Sequence, residues 1–267
     1  MITGIAIYDT ENINAPEALN IGLSFFDAIC VSVNAATYYK FLSNGDHEGD
    51  HELFDIPLDS LKENVLTGAC DAFWLYHERK GAVPWYAAFS RETGDYGSFP
   101  HLSAVCEISI DEVYAPLTSW LADLAKRFPC FSYGIMYSAE KMTRAHQYAA
   151  GNNGVTLLPY ENGFAFKKET PGMYKGKGRY SGEKLRMVYP CNLVNSQHLQ
   201  IEIDGLKLVE WIRSSKERGK LTNLGDEHWL WEVEPPHLDQ VNQACGEAGH
   251  LLAWKPLLPK KPKRKLP

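Results

Sequence analysis

The stretch that decides the fold runs from Leu185 to Trp254: LRMVYPCNLVNSQHLQIEIDGLKLVEWIRSSKERGKLTNLGDEHWLWEVEPPHLDQVNQACGEAGHLLAW. Its periodicity is the clearest in the chain. In Lys207 to Ser215 the apolar positions Leu208, Val209, Trp211 and Ile212 make the inward face of a helix, with Gly219 just beyond its end. Gly225-Asp226 is a turn, after which Trp229, Trp231 and Val233 alternate with Leu230, Glu232 and Glu234 as a half-buried strand. Pro235-Pro236 stops that strand. His237 to Gly246 reads as a helix carrying Leu238, Val241 and Cys245 inward, and His250 to Trp254 as a last strand. Asn195 to Leu199 is a helical turn, and Ile201 to Ile203 a short strand or loop.

Upstream, Gly4 to Tyr8 suits a short opening strand. Ala15 to Tyr39 reads two ways: Pro16-Glu17-Ala18-Leu19 suits a helical turn, yet strand is the expectation for Phe25 to Asn34. A short helix over Pro57 to Leu66, paired aromatic strands over Cys70 to His77 and Pro84 to Arg91, and a strand over Leu102 to Ile110 follow. Asp111 to Phe128 is a helix with Ser109 or Asp111 as cap and Val113, Leu117, Trp120, Leu121 and Leu124 on one face. Phe131 to Tyr137 is a strand and Ala139 to Ala150 a helix closed by Gly151. The order implies an α+β fold of antiparallel sheets with helices packed on one face. A ferredoxin-like β-α-β-β-α-β unit is the specific expectation for the first half, with a smaller α/β unit after it. The segmentation is residues 1–160, a Gly- and Lys-rich connecting loop over 161–184, a unit over 185–255 packed on the first, and a basic, proline-rich disordered tail over 256–267.

The formal net charge of −6 argues against a dedicated nucleic-acid binder and suits a basic partner. The basic tail Lys260 to Lys265 is the one local exception. None of the six cysteines forms a C-x-x-C pair, and most sit in apolar or half-apolar runs, as reduced core thiols do, which points to a reducing compartment. No secretory signal is read at the start, no apolar run is long enough to span a membrane, and the cytoplasm is the expected location.

Ser43 to Glu52 contains the tetrad GDHE twice in tandem and reads as an exposed acidic loop. His47-Glu48-Gly49-Asp50-His51 matches H-E-x-x-H, the zinc-hydrolase signature, which works only when a helix puts both histidines on one face. Glycine at one intervening position and polar flanks favour a solvated loop over a metal site. Neither G-x-S-x-G nor a P-loop occurs. His198, His228, His237 and His250 read as structural or surface residues, and the tryptophans as core before interface. No catalytic constellation and no cofactor is expected.

Leu185-Arg186-Met187-Val188-Tyr189-Pro190, Asn192, Asn195, His198-Leu199, Leu208 to Ile212, Gly219 with Leu221, Trp229 to Val233 and Ala248-Gly249 together resemble the C-terminal part of immunity proteins of bacterial polymorphic-toxin and type VI secretion systems. Trp120-Leu121, Leu124-Ala125 and Phe131-Ser132-Tyr133-Gly134 fit the same family's helix-then-strand layout, and the similarity weakens before Pro84. The resemblance implies a non-catalytic protein that binds and neutralises one cognate toxin. Charge then selects Asp46, Glu48, Asp50 and Glu52, with Asp226 and Glu227, as candidate contacts to a basic toxin face. The competing readings are a metal-dependent hydrolase using His47, Glu48 and His51, and an interaction module without a toxin.

Overall fold

The structure is a computed structural model that describes residues 1–42, 50–80, 85–94, 99–169, 184–225 and 227–256. The first half forms β1 (Ile2–Tyr8), α1 (Ala15–Ala28), β2 (Ala35–Phe41), β3 (His51–Ile56), α2 (Leu58–Leu66), β4 (Phe73–Glu78), β5 (Trp85–Glu92), β6 (His101–Cys106), α3 (Ile110–Arg127), β7 (Tyr133–Ala139) and α4 (Met142–Ala149). The second forms α5 (Gly163–Glu169), β8 (Cys191–Asn195), β9 (Glu202–Ile203), β10 (Leu206–Lys207), α6 (Leu208–Arg213), β11 (Lys220–Asn223), β12 (His228–Glu232) and α7 (Leu238–Glu247).

Ten strands make one sheet in the order β11-β12-β8-β7-β1-β6-β5-β4-β2-β3, and β9 and β10 make a separate two-stranded ribbon. Every pairing within them is antiparallel. The fold is α+β, as expected. β8, β11 and β12, from residues 185–255, extend the same sheet as the first half.

β1 lies mid-sheet because both its faces are apolar, and all seven residues are buried. Ile5 and Ile7 pack on one side with α1, α2 and α3; Ala6 and Tyr8 pack on the other with α4 to α7. Helices therefore cover both faces, not one. The consecutive apolar residues Ile5 to Tyr8 feed the two cores in turn, a pattern that a sheet with one solvated face would not tolerate. Gly4 stands opposite Tyr137 in the β1–β7 register. A Cβ there would lie 2.4 Å from the Tyr137 ring, so glycine is what lets that ring cross the strand.

The ferredoxin-like expectation fails on pairing. The element order β1-α1-β2-β3-α2-β4 is present, but three strands, β6, β5 and β4, stand between β1 and β2. A split β-α-β unit leaves room for one. Strand is also wrong for Phe25 to Ala28, which belong to α1. Asn14 caps that helix: its side chain accepts from the Glu17 N–H (2.8 Å), while Glu17 accepts from the Asn14 N–H (3.0 Å). Ala15, Ala18, Leu19, Gly22, Phe25 and Phe26 then recur at helical spacing on the buried face. The Phe-Phe pair carries β propensity, and the cap and the three-four spacing override it.

Three further differences matter. Gly163–Glu169 is α5 rather than loop; Phe166 lies against Tyr8 and Phe99. Residues 250–254 make isolated bridges, Leu251 to Leu185 and Trp254 to Glu161, rather than a strand. β8 and β11 stand where no strand was expected. The anticipated loop and tail over 170–183 and 257–267 lie outside the described residues. Among the described residues no helix is long and apolar enough to cross a membrane.

Candidate functional site

The acidic residues singled out by charge fall into two groups. Asp50 precedes β3, and Glu52 is exposed on it. Glu227 is exposed in the β11–β12 turn and accepts from the Ser196 hydroxyl (3.0 Å). Asp46, Glu48 and Asp226, with His47, lie outside the described residues. The sheet does not bring the two groups together. β12 and β3 are eight strand spacings apart, on the order of 38 Å at about 4.8 Å each. A standard interface covers about 800 Å² per partner, a patch roughly 32 Å across. One interface of that size takes one group or the other.

His51 opens β3, where its ring meets that of Tyr39 edge-on at 5.3 Å. His51 is thus a strand residue, whereas the zinc chemistry of H-E-x-x-H needs both histidines on one face of a helix; His47 lies outside the described residues. Among the described residues, no group of three or more His, Cys, Asp or Glu side chains is placed to hold a metal ion.

Of the four histidines read as structural or surface residues, His198 and His228 are buried. His198 is fully buried; its Nδ1 accepts from the Asn195 N–H (3.2 Å) and its Nε2 donates to the Lys184 carbonyl (3.3 Å). Burial depresses its pKa to about 4, which keeps it neutral. His228 meets the Phe131 carbonyl through Nε2 at 2.5 Å. Trp231 is fully buried and donates from Nε1 to the Arg218 carbonyl (2.8 Å), while Trp229 is half-buried.

Three polar constellations carried no sequence signal, because their members are far apart in the chain. The first is wholly internal. Arg186 has no exposed side-chain surface, and neither has Glu161; Nε and Oε1 are 3.7 Å apart. Arg186 Nη1 donates to the Tyr8 hydroxyl (3.1 Å), and the guanidinium lies over the rings of Tyr148 (3.6 Å) and Phe166 (4.1 Å). Tyr148 gives its one hydroxyl proton to Glu161 Oε1 (2.6 Å), so Tyr189 is the donor in the contact between the two tyrosines. The cluster clamps α4 and residues 185–190 to the sheet. Asn242 of α7 tightens the same segment, accepting from the Val188 N–H and donating to the Val188 carbonyl, both at 2.8 Å.

The second lies under α4. Ser103 Oγ is 3.5 Å from His146 Nδ1, and Trp74 Nε1 donates to Glu92 Oε1 (3.2 Å). Burial pushes Glu92 up to about 7, while burial and neighbouring His101 push His146 down to about 3. A serine beside a neutral histidine has the parts of a nucleophile and its base. Ser103, however, is only 2% exposed, and a nucleophile must reach a substrate.

The third is a cleft of about 540 Å³ between the start of α3 and the β11–β12 pair. Its polar centre is Tyr114, whose hydroxyl is 3.0 Å from Glu232 Oε1 and 3.2 Å from the Pro190 carbonyl. Burial, then Cys191 and Glu232, push the phenol's pKa up, so it stays a donor. Lys220 Nζ stands 4.0 Å from Glu232 Oε2. Gly219 forms the wall at φ +96°, and a Cβ there would lie 2.2 Å from the Glu232 carbonyl. The walls include Ile110, Pro190, Val233 and Pro235. Such a surface offers contact and hydrogen bonding, and it presents no activated nucleophile.

No protein-family model matches the sequence, and no curated protein matches it. Among solved structures, the chain is similar in fold to the T6SS protein PA0821 of Pseudomonas aeruginosa, with a TM-score of 0.52 and 11% sequence identity. The match covers 97% of this chain and 76% of that one.

Proposed function

We propose that this protein is an immunity protein that binds one cognate bacterial toxin and neutralises it by contact, without catalysis. The observation that carries the reading is the likeness in fold, across nearly the whole chain, to a T6SS protein. The resemblance of Leu185 to Trp254 to immunity proteins points the same way. The geometry adds support. The buried titratable groups are engaged in internal contacts, Arg186 with Glu161 and His198 with two backbone groups. In the pair nearest to a catalytic arrangement, Ser103 and His146, the serine is buried.

The partner is a toxin with a basic face, met by the acidic surface around Asp50 and Glu52, with Asp46 and Glu48 beside them in sequence. Opposite charge would speed encounter more than it deepens affinity. Nucleic acid, membrane and cofactor have no part in this reading, and its setting is the cytoplasm, where such a toxin would act. The test is co-expression with the product of the adjacent gene. A one-to-one complex that survives purification, with rescue of growth, is the expected result. A neighbouring product that is harmless, or toxic but neither bound nor neutralised, overturns the proposal in favour of an interaction module without a toxin.

A further inference from the structure

The two ends of the ten-stranded sheet differ. β11 has four residues; β3 has six, HELFDI, and no strand lies beyond it among the described residues. The hydrogen-bond pattern tells which groups face outward. Leu42 donates its N–H to the Asp50 carbonyl (3.0 Å), so these two are a bonded pair. Bonded pairs alternate along an antiparallel ladder. With Lys40 opposite Glu52, Tyr38 opposite Phe54 and Ala36 opposite Ile56, the even-numbered residues of β3 bond to β2. The far side of β2 agrees: Tyr39 donates to the Ala72 carbonyl (3.1 Å), away from β3. Leu53 and Asp55 therefore turn their N–H and C=O groups out of the sheet.

The side chains at this edge are specific. Leu53 is 59% exposed, a large apolar residue in the middle of an open edge. Glu52 and Asp55 flank the Leu53-Phe54 pair, and both are exposed. The Thr37 hydroxyl holds Asp55 by a 2.7 Å bond to Oδ1. Alternation puts Glu52 on the face of Phe54, which stacks on Tyr38, and Asp55 on the face of Leu53. A strand arriving here meets one carboxylate on each face. Two copies of this chain can pair through β3 only with odd residues opposite odd ones, because those carry the outward groups. Leu53 opposite Leu53 then sets Glu52 against Phe54, so a second copy supplies no cation to Glu52.

We propose that β3 receives a basic, extended segment of a partner protein as an added strand, cations opposite Glu52 and Asp55 and apolar side chains opposite Leu53 and Phe54. Main-chain bonds to Leu53 and Asp55 hold the segment, and the order cation-apolar-apolar-cation selects it. The inference rests on the partner-binding reading above and assigns it a surface and a mode of docking.

The probes are two labelled synthetic peptides, Thr-Lys-Val-Val-Lys-Thr and Thr-Glu-Val-Val-Glu-Thr, titrated into the full chain at low ionic strength. Anisotropy reads binding, and amide exchange reads protection of Leu53 and Asp55. The basic peptide is expected to bind at least about tenfold tighter than the acidic one, to weaken with salt and to slow exchange at both amides. Leu53→Pro removes one outward N–H at a position where edge strands accept proline, and it should weaken binding about tenfold or more. Should that variant not fold, the basic peptide with N-methylated valines makes the same test from the ligand side and should not bind. Four outcomes each overturn the proposal: no binding of the basic peptide, equal binding of both peptides, full binding of the N-methylated one, or a dimer of the chain that Leu53→Pro dissociates. No readout uses a toxin. Failure to capture a toxin therefore counts against the function proposed above and not against this result.

Discussion

Replacing Arg186 by methionine tests what clamps the sheet to the segment opening at Leu185. The substitution keeps most of the apolar stem and removes the guanidinium. Glu161 then loses the cation 3.7 Å away while its side chain stays fully buried. Breaking a buried pair by removing one partner costs about 3–5 kcal/mol. Loss of the ring-face contacts to Tyr148 and Phe166 adds about 1 kcal/mol, and methionine packing against those rings returns a similar amount. Glu161 keeps bonds from the Tyr148 hydroxyl and the Leu157 N–H, and Arg186 itself leaves Nε and Nη2 without hydrogen-bond partners. Both facts place the loss at the lower end, about 3 kcal/mol. That is a large share of the roughly 5–15 kcal/mol that stabilises a typical domain. Glu161→Gln in the same background removes the stranded charge and should recover about half. Urea unfolding followed by tryptophan fluorescence measures both, with an unchanged slope as the check on two-state behaviour. A loss below about 1 kcal/mol for Arg186→Met, or a double variant no better than the sum of the singles, would refute the reasoning.

Asn14→Ala removes the α1 cap and should lower stability by about 1 kcal/mol, read as an earlier urea midpoint. Gly219→Ala meets both a positive φ and the Glu232 carbonyl; a loss of more than about 1 kcal/mol is expected, with altered β11 and β12 resonances. Between about pH 6.5 and 4, stability should fall as pH falls. Burial holds fully buried His101 and His198 near 4 in the folded state, so the unfolded chain binds more protons in that window, at up to about 1.4 kcal/mol per pH unit per group. Glu92, raised to about 7, works in the opposite sense. A flat midpoint from pH 6.5 to 4.5 would contradict this balance.

What could be read from the sequence depended on whether the signal was local. α3 was legible because its apolar face and the Pro129 stop lie within one run of residues, although Ser109 at its N-cap makes no side-chain cap bond among the described residues. β4 and β5 were legible as aromatic runs either side of a turn. α1 was misread because Phe25, Phe26, Val31 and Val33 look like strand residues once the Asn14 and Glu17 cap is overlooked. β8 hid because Asn192 breaks its apolar run; that side chain is spent on the Tyr189 and Trp231 backbones. The charges of Asp50 and Glu52 were visible as letters. That they sit at the free margin of the sheet is pairing information, since β3 is an edge only because β2 turns to β4. Ser103 with His146, and Arg186 with Tyr8, are joined by the fold alone.

β1 also sets a schedule for folding. It precedes its partners β6 and β7 in the chain, with Thr3 opposite Cys106 and Ile2 opposite Ala139. At about 5–20 residues per second, the ribosome delivers β6 on the order of ten seconds after β1, and β7 follows. Throughout that interval a seven-residue, two-faced apolar strand has no ladder to join. Long-range pairing of this kind is slow and open to misassociation. The newly made chain therefore spends its most vulnerable period waiting for its own middle, and a chaperone that shields Ile2–Tyr8 would act before β6 arrives to cover that strand.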